Sequence, residues 1–289
     1  MAADTDTLAA VLARAVEVLW RAGVPSSDVD AELLVGHVLG LSRGGVQAKV
    51  VTGAVLSNYD RLAIDSLIER RAAREPLQHI TGRAPFRSLE LAVGPGVFVP
   101  RPETEQVAQF AIDALRAAAA PEPIGIDLGT GSGAIALAMA IEVPHARVYG
   151  VENSPTAFIW TKHNFRESGA DNARAVFIDL AVALPELDGT VAVVISNPPY
   201  IPNAAIPRDP EVRLFDPAHA LYGGEDGLDV VRQVSQTARR LLHPGGTLVL
   251  EHGELQGGAI AALLIEDGWS AVATHPDFLG RDRATTALR

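Results

Sequence analysis

The chain has 289 residues, no cysteine and a formal net charge of −11 at pH 7. The missing cysteines exclude disulfides, thiolate zinc sites and a cysteine nucleophile, while 48% hydrophobic and 20% charged residues are typical of a globular protein with a sizeable core. No apolar run approaches the roughly 18–20 residues that cross a bilayer, and the start MAADTDT has no signal-peptide features, so we expect a cytoplasmic protein without a membrane partner.

The first 75 residues have helical periodicity. Apolar residues recur at helix spacing after Thr5, and Gly23 with Pro25 ends that first helix. Two more helices are expected, DAELLVGHVLG after a cap at Ser26 or Ser27, and YDRLAIDSLIERRAA after a cap at Ser57 or Asn58. Residues 1–75 therefore predict a small helical bundle, whose role is either docking of a partner or structural support.

Residues 76–102 differ from the bundle in composition. The segment PLQHITGRAPFRSLELAVGPGVFVPRP alternates in SLELAV and contains Gly94, Pro95 and Gly96, which favour turns. We predict an extended, turn-rich β-hairpin linker over this range.

Strands and helices alternate over residues 103–289. A helix near Glu103–Ala119 is followed by alternating strand and helix patterns, and these are IGIDL, GAIALAMAIE, ARVYGVE, PTAFIWTKHNFRES, RAVFID and VAVVISN. A helix around Leu228–Leu242, the strand GTLVLEHG, a helix around Gln256–Asp267 and two extended segments complete the chain. This order predicts an α/β fold, with a mostly parallel sheet and helices on both faces.

The first strand of this sheet runs into a glycine-rich turn. IGIDLGTGSGAIAL places Gly129, Gly131 and Gly133 between a β-branched strand and an apolar helix, where the backbone can turn tightly against a ligand. Gly129, Gly131 and Ala134 also satisfy the looser dinucleotide fingerprint, so glycine spacing alone does not identify the nucleotide-like cofactor.

Three carboxylates narrow the choice of cofactor. Asp127 would repel a dinucleotide pyrophosphate but attract an amino-acid ammonium. Glu152 ends the next strand, where a ribose-binding acid is expected, and Asp179 ends the third strand, either near an adenine amino group or as an exposed loop acid. The set favours S-adenosylmethionine, which carries an adenosine at one end and an amino acid at the other.

The motif SNPPY follows the buried strand VAVVI. Prolines end the strand rigidly, and ligands of open α/β sheets bind at the carboxyl ends of strands. The side-chain oxygen of Asn197 and the carbonyl of Pro198 can accept hydrogen bonds from one planar NH₂ group, and Tyr200 can form a flat wall beside it. We therefore predict an acceptor site for a planar nitrogen next to the methyl donor.

Charge and motif spacing exclude other classes. Residues 76–289 hold 16 Lys or Arg against 25 Asp or Glu, so no direct nucleic-acid binding is expected. The cluster Arg70, Arg71 and Arg74 is interpreted as a solvated helix face. There is no Gly-Lys-Ser/Thr loop, GTGSG is not a hydrolase elbow, and the eight His lack the short spacings of a metal site.

Several segments together resemble one family. Asn-Pro-Pro-Tyr with DLGTGSG is typical of methyltransferases that act on planar nitrogen. The family of release factor glutamine methyltransferases is indicated by six segments, and these are PLQHITG at 76–82, VFVPRPETE at 97–105, ISNPPYIP at 195–202, ALYGGEDGLD at 220–229, LEHGELQG at 250–257 and DFLGRDR at 277–283. The helical N-terminal part and the hairpin are also similar to that family.

This resemblance implies a Rossmann-like class I methyltransferase sheet in residues 103–289, and transfer of methyl from S-adenosylmethionine to the Gln of the Gly-Gly-Gln loop in peptide-chain release factors. S-adenosylhomocysteine would be the product. Cofactor contacts are implied for Gly129, Thr130, Gly131, Ser132, Gly133, Glu152, Leu180 and Asn197. The substrate Gln is expected against Asn197, Pro198, Pro199 and Tyr200, with Phe98 lining its pocket and residues 1–75 docking the release factor. Arg101 and Glu103 are expected to be structural.

The chain departs from the family pattern at two cofactor positions. Glu152 stands where an Asp is usual, and Leu180 stands where an aromatic residue often follows Asp179. Residues 202–217 are expected to cover the Gln pocket or to be a tolerated insertion. A DNA adenine methyltransferase with the same loop, and a non-catalytic protein that keeps the fold as a scaffold, stay as alternatives.

Overall fold

The computed structural model describes residues 7–289, so the expected start of the first helix at Thr5 lies outside the described residues. The chain forms two compact units. One contains residues 7–82 and 207–215, and the other contains residues 83–206 and 216–289. None of the helices in the described part of the chain combines the length and apolar character required to cross a membrane.

The elements follow one another along the chain as the sequence pattern indicates, with additions in the first unit. In chain order they are α1 Leu8–Arg21, α2 Ser27–Leu39, α3 Arg43–Val51, α4 Asn58–Ala72, α5 Leu77–Thr81, β1 Arg83–Phe86, β2 Leu89–Ala92, α6 Pro102–Ala117, β3 Ile124–Leu128, α7 Ala134–Glu142, β4 Arg147–Glu152, α8 Pro155–Glu167, β5 Ala173–Phe177, β6 Val191–Ser196, α9 Pro210–Phe215, α10 Asp229–Leu241, β7 Leu242–Glu251, α11 Gly257–Glu266, β8 Ser270–Pro276 and β9 Asp282–Leu288.

Helix caps decide where the first helices begin. The Ser57 hydroxyl accepts a hydrogen bond from the Asp60 amide at 3.0 Å, which confirms it as the cap of α4. Ser26 occupies the N-cap of α2 without a side-chain bond. Helix α3 was not predicted, because its sequence contains two glycines; the Ser42 cap and the buried Val46 offset their helix cost.

The expected linker is shorter and less extended than its composition indicates. Strands β1 and β2 pair antiparallel in register Arg83↔Ala92, which confirms a hairpin. Residues 77–81 form the helix α5 instead of extended chain, and Ile80 is buried in the core of the first unit. Burial of its apolar residues against the bundle explains why this part of the segment is helical.

A seven-stranded sheet organises the second unit. Its strand order is β5-β4-β3-β6-β7-β9-β8, with β9 antiparallel to both β7 and β8 and the other pairs parallel. Helices α6 and α7 pack on one face and α10 and α11 on the other. This arrangement confirms the mostly parallel α/β sheet. It also places β6 beside β3, where the direction of winding reverses.

Arginines in the first unit form a buried ion cluster. Arg71 Nε lies 2.7 Å from Asp30 Oδ2, and Arg71 Nη2 lies 2.8 Å from Glu211 Oε1. Arg74 donates to both oxygens of Glu211, at 2.8 and 2.6 Å. The solvated face expected from the sequence is therefore wrong for Arg71, whose side chain is only 7% exposed. Its partners Asp30 and Glu211 lie far away in the sequence, so the spacing of charges near Arg71 could not reveal them.

Removal of Glu211 should destabilise the first unit. Glu211→Ala leaves the buried Arg71 and the half-buried Arg74 undercompensated, and we expect a loss of about 2–3 kcal/mol in the free energy of unfolding at pH 7. Urea denaturation, monitored by circular dichroism, measures this loss of stability. Hydrogen exchange of the backbone amides in α2 and α4 shows whether the loss is located in the first unit. Asp226→Ala is the control, because it breaks an equally close but exposed pair with Arg232 and should lower stability much less than Glu211→Ala.

The same variant should show a pH dependence. Although burial opposes it, hydrogen bonding with Arg74 and Arg71 lowers the pKa of Glu211 from 4.5 to about 2. Its contribution to stability is thus complete above about pH 4.5 and disappears as the pH falls toward 2. The stability difference between wild type and Glu211→Ala should therefore shrink over that range. A difference that stays constant down to pH 2 would contradict this account.

Candidate functional site

The glycine-rich turn after β3 adopts a conformation that side chains disfavour. Gly129, Gly131 and Gly133 have φ values of 77°, 57° and 90°. A Cβ at Gly133 would lie 2.8 Å from the Phe165 ring, whereas Cβ atoms at Gly129 and Gly131 would meet nothing within 4 Å. Gly133 is thus required for packing, and the other two leave space beside the backbone where a ligand could approach.

Asp127 is fully buried at the carboxyl end of β3. Its Oδ2 accepts hydrogen bonds from the Thr130 hydroxyl at 2.5 Å and from the Ala136 amide at 3.2 Å. Within the described part of the chain, its Oδ1 has no hydrogen-bond partner. Burial raises the pKa of Asp127 to about 7, because the charged form is desolvated. The carboxylate therefore braces the turn and still has an unused acceptor, as expected for a group that meets a cation.

Glu152 ends β4 and is bonded to the glycine turn. Its Oε2 accepts from the Gly131 amide at 2.9 Å, and its Oε1 accepts from the Ser154 amide at 2.8 Å. Asp179 follows β5 and is exposed, and its Oδ2 accepts from the Asn153 side chain at 3.0 Å. Because β4 lies between β3 and β5, these carboxylates extend along one edge of the sheet. Leu180, next to Asp179, is half-buried.

Side chains of α8 form hydrogen bonds with two backbone carbonyls of the glycine-rich turn. Thr161 donates to the Gly131 carbonyl at 2.5 Å, and Asn164 donates to the Ser132 carbonyl at 2.8 Å. Asn164 also exchanges hydrogen bonds with the backbone of Ala92 in the hairpin, at 2.8 and 2.9 Å. Sequence reasoning missed Thr161 and Asn164. Their spacing of three along a helix was the available signal, but it does not show what they face.

The motif Asn197 to Tyr200 leaves the sheet directly after β6, beside the glycine turn. Asn197 is half-buried, and its Nδ2 donates to the Thr104 hydroxyl at 3.5 Å. The Tyr200 carbonyl accepts from Gln256 at 2.8 Å, which fixes the loop from β7's side. Burial raises the pKa of the Tyr200 hydroxyl to about 12, so this ring is a neutral wall at pH 7. Pro198 is buried and Pro199 is half-buried.

Phe98 contacts Arg101. The Arg101 guanidinium lies 4.8 Å from the centroid of the half-buried Phe98 ring, and it pairs with the buried Asp216 at 2.6 Å. The positive charge of Arg101 also acts on the Tyr200 hydroxyl. The expected structural role of Arg101 thus has a partner in the structure, and it is Asp216.

The site residues therefore gather along the carboxyl edge of four strands. Carboxylates at the ends of β3, β4 and β5 and the amide and carbonyl oxygens after β6 are hydrogen-bond acceptors along this edge. Thr104 and Glu251, both buried beside Asn197, were missed by the sequence reasoning. The signal for Glu251 was an acid at the end of the apolar strand GTLVLEHG.

Two family models match the chain. The PrmC N-terminal domain matches residues 10–82, and the methyltransferase small domain matches residues 88–242. The second model identifies a methyltransferase domain, which implies S-adenosylmethionine as the methyl donor.

Curated relatives match over nearly the whole chain. A release factor glutamine methyltransferase of Streptomyces coelicolor is 50% identical over 98% of this chain and 99% of its own, and one of Bifidobacterium longum is 43% identical over 96% and 98%. A 4-amino-L-phenylalanine/4-methylamino-L-phenylalanine methyltransferase of Streptomyces pristinaespiralis is 38% identical over 100% of this chain and 97% of its own. Similar chains thus act on different acceptors.

Solved structures share the fold. A methyltransferase from Pyrococcus furiosus aligns with a TM-score of 0.51 at 20% identity, over 70% of this chain and 89% of that one. At this identity the likeness concerns the fold of the sheet alone.

Asp127→Asn separates two roles of this side chain, which are hydrogen bonding within the turn and provision of a negative charge. The variant keeps an acceptor for Thr130 and Ala136 but cannot carry a charge. Stability linked to Asp127 is complete below about pH 3.8 and is lost as the pH rises through about 7. Asp127→Asn should therefore melt at least roughly 2–4 °C above wild type at pH 8, and at the same temperature near pH 4, in differential scanning calorimetry.

The same variant should bind S-adenosylmethionine at least tenfold more weakly in calorimetry, because the expected partner of its ammonium is gone. Unchanged affinity would mean that Asp127 only braces the turn. Thr130→Val is the matched comparison, since it removes one hydrogen bond to the same carboxylate and keeps its charge.

Proposed function

The chain belongs to the family of release factor glutamine methyltransferases, and on that premise we propose that it transfers a methyl group from S-adenosylmethionine to the Gln side-chain amide of peptide-chain release factors. The acceptor within the release factor is the Gln of its Gly-Gly-Gln loop. One observation carries the proposal most directly, and it is the position of Asn197 directly after β6, the strand that pairs with β3 before the glycine turn.

The cofactor half of the site is proposed from the ends of β3, β4 and β5. Gly129 and Gly131 leave room for the methionine part, with the unused oxygen of Asp127 toward its ammonium. Glu152 would hold the ribose hydroxyls, and Asp179 with Leu180 would border the adenine. When bound, S-adenosylmethionine supplies an electrophilic methyl group on a sulfonium. The residues named here orient that methyl toward the end of β6.

The acceptor half is proposed from the motif after β6. An amide nitrogen is a poor nucleophile because its lone pair is delocalised into the carbonyl. The Asn197 oxygen and the Pro198 carbonyl can each accept one hydrogen of the substrate NH₂, which orients the nitrogen and favours an attacking geometry. Tyr200, Pro199 and Phe98 supply apolar walls that hold the amide plane and exclude water.

Proton removal needs no strong base before the transfer. The amide nitrogen becomes acidic once it carries the methyl group, so a proton can leave afterwards through the same acceptors. Positioning and electrostatics therefore supply the catalysis. This order fits a site whose Tyr200 is a neutral hydroxyl with a pKa of about 12.

The partner is proposed to be a release factor docked on the bundle of residues 1–75. A protein partner agrees with the formal net charge of −11, which opposes binding to a nucleic-acid backbone. We also propose that the protein acts in the cytoplasm, where release factors work.

The function is tested by labelled-methyl transfer from S-adenosylmethionine to purified unmodified release factor. Three parallel reactions contain the same factor with the Gly-Gly-Gln glutamine changed to Glu, duplex DNA, and 4-amino-L-phenylalanine. Label on the unmodified factor alone, located at that Gln by mass spectrometry, supports the proposal. Label on DNA or on the aromatic amine moves the function to that acceptor, and label on none supports a scaffold that binds the cofactor without transfer.

Asn197→Ala should abolish most transfer with little effect on the cofactor. Loss of one acceptor for the substrate NH₂ should lower kcat at least 100-fold, as for other preorganised hydrogen-bonding groups. The Kd for S-adenosylmethionine should stay within about threefold, measured by calorimetry.

Asn203→Ala is the matched control for this variant. Asn203 lies in the same loop, its side chain is exposed, and its backbone amide bonds to the Gly224 carbonyl at 2.8 Å. This variant should keep kcat within about twofold. Survival of transfer in Asn197→Ala would show that the nitrogen is not held by this side chain.

A further inference from the structure

Glu251 lies directly beside Asn197 because of strand register. Strands β6 and β7 are parallel, with Ile195 opposite Val249 and Ser196 opposite Leu250. The next position of each strand is therefore Asn197 and Glu251. In-register side chains of parallel strands point to the same face of the sheet, so these two side chains share one face.

Packing of the preceding residues identifies that face. Val193, Ile195 and Val249 alternate with residues of the opposite face and belong to the core that includes α6. Asn197 and Glu251 continue the same alternation toward the first turn of α6, where Thr104 is 4% exposed. The 3.5 Å contact between Asn197 Nδ2 and Thr104 Oγ1 confirms that Asn197 points to α6.

Glu251 is a buried carboxylate with few partners. It is 1% exposed, and within residues 7–289 its Oε2 has no hydrogen-bond partner. Burial raises the pKa of Glu251 to about 7, although the neighbouring Thr104, Arg283 and Asn197 oppose that rise. Burying a carboxylate costs free energy, and Glu251 forms no salt bridge of its own among the described residues. A functional role would explain why a carboxylate is found at this buried position.

The chemistry of an Asn side chain supplies that role. One end of the amide only accepts hydrogen bonds and the other end only donates, so its orientation depends on its neighbours. Glu251 presents an acceptor, and Nδ2 must therefore be the end that faces it. We propose that Glu251 is a positioning residue, which accepts a hydrogen bond from Asn197 Nδ2 and so directs Asn197 Oδ1 toward the substrate NH₂. This inference rests on the proposed function for the role of Oδ1.

Several charged groups surround Glu251. Arg283 comes from β9 and attracts its negative charge, while Glu103 comes from α6 and repels it. Arg283 Nη1 donates to the His252 carbonyl at 3.3 Å, and its Nη2 lies 3.8 Å from Asp277. Arg283 is thus shared with another carboxylate and compensates Glu251 only in part. A protonated Glu251 keeps a carbonyl oxygen, so acceptance from Nδ2 is possible in both protonation states.

Two substitutions separate positioning from base catalysis. Glu251→Gln keeps an acceptor oxygen but cannot take up a proton, and Glu251→Leu removes the acceptor at similar volume. We expect Glu251→Leu to lower kcat for release factor about 30–100-fold, with KM and the Kd for S-adenosylmethionine within about threefold. Glu251→Gln should stay within about fivefold of wild-type kcat.

Two kinetic results would overturn the proposal. Glu251→Gln as inactive as Glu251→Leu would assign proton uptake to the carboxylate, and full activity in Glu251→Leu would remove any role in orienting Asn197. Glu142→Leu is the control for loss of a partly buried carboxylate, since Glu142 ends α7 and pairs with Arg87. It should lower the melting temperature without a comparable fall in kcat.

A spectroscopic measurement tests the same contact without any acceptor. The side-chain NH₂ resonances of Asn197 in ¹⁵N-labelled protein can be assigned by their disappearance in Asn197→Ala. A hydrogen bond to Glu251 predicts a downfield proton that moves upfield in Glu251→Leu and much less in Glu251→Gln. Unmoved resonances in Glu251→Leu would refute the contact. Failure of wild type to methylate release factor would refute the proposed function alone.

Discussion

Parallel register at the junction of β3, β6 and β7 is the constraint on which the rest of the site depends. Asp127 is the second-last residue of β3, Asn197 directly follows β6, and Glu251 is the last residue of β7. Side-chain direction is then fixed by the pleat, so a shift of one residue would turn each group to the opposite face. Few side-chain contacts are needed to assemble the site, because the backbone ladder does most of the alignment.

Two buried carboxylates lie at this edge of the sheet, and both have an unusual environment. Burial raises the pKa of both Asp127 and Glu251 to about 7, and each has one oxygen without a partner among the described residues. An apolar residue at either position would be easier to bury. On the proposed function, Asp127 lies on the cofactor side of the reaction and Glu251 on the acceptor side.

Local patterns in the sequence were sufficient for the sheet and the main motifs. Hydrophobic periodicity and the positions of Gly and Pro predicted the order of strands and helices. The motifs Gly129–Gly133 and Asn197–Tyr200 were recognisable because turns and strand ends favour particular residue types. Helix α3 was missed because tertiary burial of Val46 outweighs two glycines. Thr104, Asn164 and Glu251 were missed because their partners are distant in sequence, and Arg71 was misplaced for the same reason. The roles of individual site residues stay predictions.

Discontinuity of the first unit affects the order in which the protein can fold during synthesis. Its residues 7–82 leave the ribosome first, yet the segment 207–215 belongs to the same unit and supplies Glu211. At about 5–20 residues per second, that segment is translated on the order of ten seconds later. Until then the bundle holds Arg71 and Arg74 without one of their carboxylates. The nascent bundle should thus be a less stable species than the finished one, open to chaperones or proteases for the time that most of the catalytic unit takes to emerge.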